Sequence, residues 1–475
     1  MELSSRNFEE KARGALKDPD LQTALQRIEK GFSRLRIAAS ERMPEFETLR
    51  NEGRDIKNHV LQNLDHYLVR FEEKVIASGG QVHWCADADE ARATILKLCR
   101  DADAKTVTKG KSMIAEEIGI NKYLEDNGVA PIETDMGEYI VQLADETPSH
   151  LIGPALHKTR EQITELFYEQ HQKYGRNARL TEGRDLINEA RGILRDKYFA
   201  ADVGITGANF LIAETGSTVI VTNEGNGDLT QLLPKMHIAI ATIEKVVPTL
   251  EDASTLLRLL ARSATGQEMS VYTSFSTGPR RADDVDGPAA FHVVLLDNGR
   301  SKLLGGPFHE VLRCIRCAAC MNVCPVYGAV GGHAYGAVYM GPIGAVLTPH
   351  LVGIDDAYHL PNASTFCGRC EEVCPVHIPL PKLMRSWRER AFGRELSPSR
   401  ERLALRTWAW IARRPWLYRR LTGFGMFGLR ILSRGKGRLS SVPFAGGWTG
   451  TRDLPAPEGK TFMAAWRSGQ RGPKS

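Results

Sequence analysis

CIRCAACMNVCP, residues 314–325, and STFCGRCEEVCP, residues 364–375, decide the fold of the second half of this chain. The first reads Cys-x2-Cys-x2-Cys-x3-Cys-Pro. The second repeats it with Ser364 in place of the leading cysteine. Two-residue spacings let three thiolates converge from one tight turn onto three corners of an iron–sulfur cubane. The fourth cysteine, followed by proline, serves the other cluster of a two-cluster module. A zinc site would use paired C-x2-C units with four ligands in total, which this pattern does not fit. No haem signature C-x-x-C-H occurs.

Crossed ligation assigns the thiolates. One cluster is expected to take Cys314, Cys317, Cys320 and, from the second run, Cys374. The other is expected to take Cys367, Cys370 and, from the first run, Cys324. The second set lacks a fourth thiolate, and Ser364 stands in its register. Three outcomes are open there: a [4Fe–4S] cluster with a non-cysteine fourth ligand, a [3Fe–4S] cluster, or no cluster. Two neighbouring clusters imply a one-electron conduit.

The rest of the chain sets the context. At 475 residues it is too long for one core. The start mixes acids with bases and has no apolar h-region, and no run approaches 18 uncharged apolar residues. The expected compartment is the cytosol. Seven of the nine cysteines fall between 314 and 374, so metal binding is favoured over disulfides. Cys85 and Cys99 stand alone and read as inert thiols.

Residues 1–75 carry apolar positions at helical spacing. From 76 to 300, β-like runs alternate with helical ones, as in ADVGITGANFLIAETGSTVIVTNEG and AAFHVVLLDNGR. This predicts an α/β domain with a largely parallel sheet. Residues 301–384 form the cysteine-bearing, mainly α-helical ferredoxin-type domain, whose Gly-rich middle suits close backbone packing. Residues 385–475 are a basic, Arg- and Trp-rich helical tail. From 375 onward there are 21 Lys+Arg against 5 Asp+Glu, a net of +16; the preceding 374 residues therefore carry −11.

In the tail, Trp408, Trp410, Trp416, Tyr418, Phe424 and Phe427 are interleaved with Arg413, Arg414, Arg419, Arg420 and Arg430. Docking on an acidic protein surface ranks first for such a mixture. Peripheral contact with the inner face of a membrane ranks second, and no nucleic acid is expected.

Weaker signals are weighed against plain alternatives. Gly110-Lys111-Ser112 is not a P-loop, because Lys105 stands where a glycine is needed. Lys109, Lys111 and Ser112 suit either an anion at a helix start or a solvated basic loop. GFGMFG, 423–428, follows no strand and is taken as chance. Glu214 and Glu224 lie in glycine-rich turns as site candidates or simple turn residues. His150 and His157, seven apart, read as structural.

The stretches ETDMGEYIVQLADETPSHLIGPALHK and GITGANFLIAETGSTVIVTNEGNGDL, followed by CIRCAACMNVCPVY and CGRCEEVCPVHIPL, resemble the lactate utilization protein B family over nearly the whole chain. The resemblance implies a LUD domain of NagB/RpiA/CoA-transferase-like fold, then a two-cluster 4Fe-4S ferredoxin module. It also implies an electron-transfer role in the oxidation of L-lactate to pyruvate, alongside two partner subunits. Its cluster ligands fall on the same seven cysteines, and the family too has three cysteines in the second run. It supplies no catalytic residue.

Overall fold

The computed structural model describes residues 3–433, 435–443, 445–450 and 452–469. The chain divides into two units, 1–391 and 392–475.

In the first unit ten strands form two sheets: β1 (Gln81–Cys85), β2 (Thr106–Lys109), β3 (Ala130–Glu133), β4 (Val203–Gly207), β5 (Phe210–Ile212), β6 (Ser217–Thr222), β7 (Met236–Thr242), β8 (Val246–Val247), β9 (Tyr272–Ser276) and β10 (Ala290–Leu296). The larger sheet has the order β1-β10-β7-β4-β2-β3 and every pairing in it is parallel. MHIAIAT and AFHVVLL are near-continuous apolar runs because both faces of such a sheet are covered. Ile238, Ile240, Val294 and Leu296 pack into one core with Ile95 and Ile118. Ala239, Ala241, Val293 and Leu295 pack into the opposite core with Leu68 and Phe71. Each large aliphatic side chain buried this way contributes about 1.5–3 kcal/mol.

The smaller sheet, β8-β5-β6-β9, is mixed: β5 and β8 are parallel, and the other pairs antiparallel. Its β5–β6 hairpin turns at Glu214-Thr215-Gly216, where Gly216 takes a φ of +72° that a side chain would strain.

Strand order dictates where a crevice opens. From β2 the chain steps outward to β3, then returns to the other side of β2 as β4 and continues to β7 and β10. The switch point lies between β2 and β4, and in open α/β sheets ligands bind beyond the carboxyl ends of strands at such a point. Gly207, closing β4, comes so near Ser112 that a Cβ would stand 2.9 Å from the Ser112 Oγ. The absence of a side chain there lets the two loops meet.

The N-terminal helices reach the cysteine loops. Ser33 Oγ donates to the Asn322 carbonyl at 2.9 Å, and Arg36 Nη2 donates to that of Val373 at 3.0 Å. From the helix Phe46–Gln62, Arg50 donates to the carbonyls of Glu372 at 2.7 Å and Cys374 at 2.9 Å. A buried ionic chain then ties the sheet to the loops. Arg300, with no exposed surface, is bidentate to Glu117 at 2.6 and 2.9 Å and contacts Glu244 at 3.2 Å. Glu244 accepts from Arg316 at 3.3 Å, and Glu117 accepts from Tyr339 at 2.6 Å.

The second unit is helical, with helices Ser399–Ala412, Pro415–Ser433 and Phe462–Arg467, and a short antiparallel pair, Arg438–Leu439 with Leu454–Pro455. GFGMFG lies inside the helix Pro415–Ser433 and opens no βαβ unit. Trp408, Trp410, Trp416, Phe424 and Phe427 are exposed, with Arg414 stacked on Trp410 at 4.0 Å. Among the described residues no helix is long and apolar enough to cross a membrane.

Candidate functional site

The two cysteine runs turn the backbone the same way. Arg316 and Ala318 both take a φ of +61°; their counterparts Phe366 and Gly368 take +54° and +82°. Short helices follow each turn, Ala319–Asn322 and Arg369–Glu372. The amide of Arg316 donates to Cys314 Sγ at 3.4 Å, and the amide of Phe366 donates to Ser364 Oγ at 3.1 Å. Ser364 therefore repeats the turn geometry of Cys314, with a hydroxyl where the first loop has a thiol.

Cys314, Cys317, Cys320 and Cys374 line one cavity, walled by Leu151, Ile343, Val376 and Leu380 among others. Cys367, Cys370 and Cys324 form the second group, in which Cys370 feels the charges of Cys324 and Cys367, and Cys324 that of Cys367. Cys320 feels Cys370 as well, so the two groups adjoin. None of the seven forms a disulfide.

Their surroundings differ. In the first group, burial and then the Cys374 charge push the Cys317 thiol up to about 12, and burial raises Cys374 to about 11. Such thiols ionise together only with positive metal between them. Amides also point at the sulfurs: that of Ile378 donates to Cys374 Sγ at 3.3 Å. Arg36, Arg50 and Lys57 are buried close by and Arg316 is partly buried; the charges of Arg36 and Lys57 respond to Cys317 and Cys314 respectively. In the second group Cys367 is exposed, and the Arg369 amide lowers its thiol. Apolar walls, amide donors and surplus cations suit an anionic iron–sulfur cluster.

A second cavity, of about 250 Å³, opens at the carboxyl ends of β2, β4 and β7. Gly110, Lys111 and Ser112 line it after β2, Gly207 and Asn209 around the end of β4, and Lys245 beyond β7. Leu151 and Arg316 line this cavity and the thiol cavity alike. Lys245 is 5 % exposed, and its ammonium makes no hydrogen bond or ion pair among the described residues. Burial, then Arg316, lowers its pKa to about 8. Glu224 also lines the cavity; burial and then Asp135 raise its pKa.

The remaining candidates sit elsewhere. Lys109 closes β2 without exposed surface, neutralised by Glu133 at 2.7 Å and Glu116 at 2.9 Å, so it is neither a solvated loop residue nor a free cation. Glu214 accepts from the Leu250 amide at 3.3 Å, a helix-start contact. His150 is buried against Asn322 at 2.8 Å, and burial lowers its pKa to about 4. His157 bridges Ser149 at 2.7 Å and Glu146 at 2.6 Å. Arg36, Arg50, Lys57 and Lys245 carry no local sequence signal, because their nearness to the thiols is tertiary.

Comparison with known proteins gives three family matches: LUD domain over residues 68–296, 4Fe-4S dicluster domain over 310–378, and Lactate utilisation protein B, C-terminal over 393–471. The chain is 42% identical to Lactate utilization protein B of Bacillus pumilus, covering 99% of each chain. It is 42% identical to the protein of that name from Lysinibacillus sphaericus, covering 97% of each. It also matches a solved DUF162 family protein from Deinococcus radiodurans at 14% identity, covering 49% of this chain and 98% of that one with a TM-score of 0.28, too low to support a structural argument.

Proposed function

Because the chain belongs to the lactate utilization protein B family, we propose that it is the iron–sulfur electron-transfer component of a multi-component system that oxidises L-lactate to pyruvate in the cytosol. Two further subunits complete that system. The α/β domain is read as NagB/RpiA-like, spanning about residues 76–300, with a ferredoxin-type module over 301–384. One [4Fe–4S] cluster would be held by Cys314, Cys317, Cys320 and Cys374. A second would be held by Cys324, Cys367 and Cys370, with Ser364 in the register of the missing thiol.

The observation that carries this reading is the grouping of the thiols: four around one apolar cavity, three beside it, and the nearer pair electrostatically coupled. Clusters there would pass electrons between the first group, beside the crevice of the sheet, and the second, where Cys367 meets solvent. The cluster supplies one-electron capacity; the chain supplies thiolates, amide donors and counter-charge.

The test is anaerobic purification with iron and sulfide quantification and EPR, on wild type and Ser364→Cys. Two signals that lactate reduces in the presence of the partner subunits are expected. A [3Fe–4S] signal in wild type that the cysteine variant converts would identify the open corner. A chain without iron, or clusters unchanged by lactate and partners, would sink the reading. The basic tail is read as a docking segment for an acidic partner; deleting residues 400–475 should weaken subunit association in a salt-sensitive way.

A further inference from the structure

We propose that the crevice at the carboxyl ends of β2, β4 and β7 is a binding site for a small organic monocarboxylate, held by Lys245 and Arg316. The choice of 2-hydroxy and 2-oxo acids as first probes rests on the electron-transfer reading above; the site itself rests on four observations.

The first is position. The cavity opens at the switch point between β2 and β4, where the fold exposes loop amides and strand ends to a ligand. The second is size. About 250 Å³ lies below the roughly 300–1,000 Å³ typical of sites for drug-sized ligands, which suits a small organic acid.

The third is positive charge at the cavity. Lys245 is 5 % exposed and its ammonium makes no hydrogen bond or ion pair among the described residues, with Arg316, Glu244 and Cys314 among its charged neighbours. Arg316 gives one nitrogen to Glu244 and lies 4.6 Å from the centre of the Tyr339 ring, while its Nε and Nη1 are buried without hydrogen-bond partners. The fourth is the acidic part of the lining. Glu224 and Asp135, the latter paired with Lys111 at 3.6 Å, also line the cavity, so a second negative charge on the ligand is disfavoured, whereas a hydroxyl or keto group finds hydrogen-bonding partners. One carboxylate with a neighbouring oxygen function suits both kinds of lining residue.

Serving only as counter-charge to the thiol cavity is the competing role for these cations. Arg36 and Arg50 fit that role, since neither lines the crevice. Lys245 and Arg316 do line it. Because Arg316 and Leu151 wall both cavities, a bound carboxylate stands one side-chain layer from the first thiol group.

Calorimetry and EPR on the full chain, reconstituted anaerobically with iron and sulfide, test the site with L-lactate, pyruvate and inorganic phosphate. Saturable binding of at least one carboxylate is expected, with phosphate at least tenfold weaker and only one cluster signal perturbed. Lys245→Met should weaken binding at least tenfold at unchanged iron content, and Lys245→Arg should restore part of it. Should Lys245→Met lose iron or fail to fold, Ser270→Trp fills the cavity from its half-buried rim and must abolish binding by itself. Failure of both carboxylates to saturate, phosphate binding as tightly as they do, or unaltered affinity in Ser270→Trp would each overturn the site. Clusters that cycle with partners in a chain that binds neither acid would remove the site and leave the electron-transfer reading standing. Binding without lactate-driven cluster reduction would do the reverse.

Discussion

The loop at 314–320 and the loop at 364–370 run through matching positive-φ pairs and accept the same amide hydrogen bond, yet they sit in opposite environments. The first is walled by apolar side chains and backed by Arg36, Arg50 and Lys57. The second presents Cys367 to solvent and begins with a hydroxyl in place of a thiol. Local sequence sets the turn, while surroundings set the charge balance and access. Burial and counter-charge tune a cluster's potential, so clusters held by these two copies of one loop would differ in potential.

The largest expected effect separates the loops by substitution. Cys320→Ala should lose the first cluster and lower the melting temperature, since the site lies inside the unit. Cys367→Ala should remove only the second signal and change stability little. Iron content, EPR and calorimetry read both, and equal destabilisation by the two variants would break the contrast.

Next, Arg300→Met leaves Glu117 and Glu244 buried without their shared cation. Removing one partner of a buried ionic group costs about 3–5 kcal/mol, which urea denaturation would register. A loss below about 1 kcal/mol would mean that the chain Glu117–Arg300–Glu244–Arg316 does not bind the sheet to the first loop.

A smaller effect tests counter-charge alone. Arg50→Gln removes a buried cation that donates to the Cys374 carbonyl. Reduction adds negative charge, so the first cluster's potential should fall by on the order of 50 mV, about 1 kcal/mol for one electron. EPR-monitored titration should find the second cluster unmoved.

The smallest is a pH slope. Burial holds His150 and His237 neutral, at about 4 and about 3 against an ordinary 6.5. Between 6.5 and about 4 the unfolded chain binds more protons, so stability rises with pH across that window and is lost as pH falls through it. Urea midpoints at pH 7.5, 6 and 5 should decline in that order. His150→Gln, next to Asn322 of the first loop, should flatten part of the slope.

Much of this was legible beforehand. The alternation of ADVGITG, MHIAIAT and AAFHVVLL announced a parallel sheet, because strands covered on both faces read as unbroken apolar runs. The repeated cysteine spacing announced two thiol groups. Lys109 reads as a basic loop residue in sequence because its partners, Glu116 and Glu133, come from a helix and a neighbouring strand. The N-terminal helices were legible as helices but not as the cover of the cysteine loops, since amphipathic periodicity names a buried face without naming what covers it.

By itself, then, the sequence determined the elements, the turn geometry of both cysteine loops and the position of the one missing thiol, because spacing and backbone preference act over a few residues. Only the tertiary structure decided that Arg36, Arg50, Lys57 and Lys245 surround the first loop, and that the crevice of the sheet opens beside it. Charges interact through space without regard to separation along the chain, so no local pattern could have recorded that arrangement.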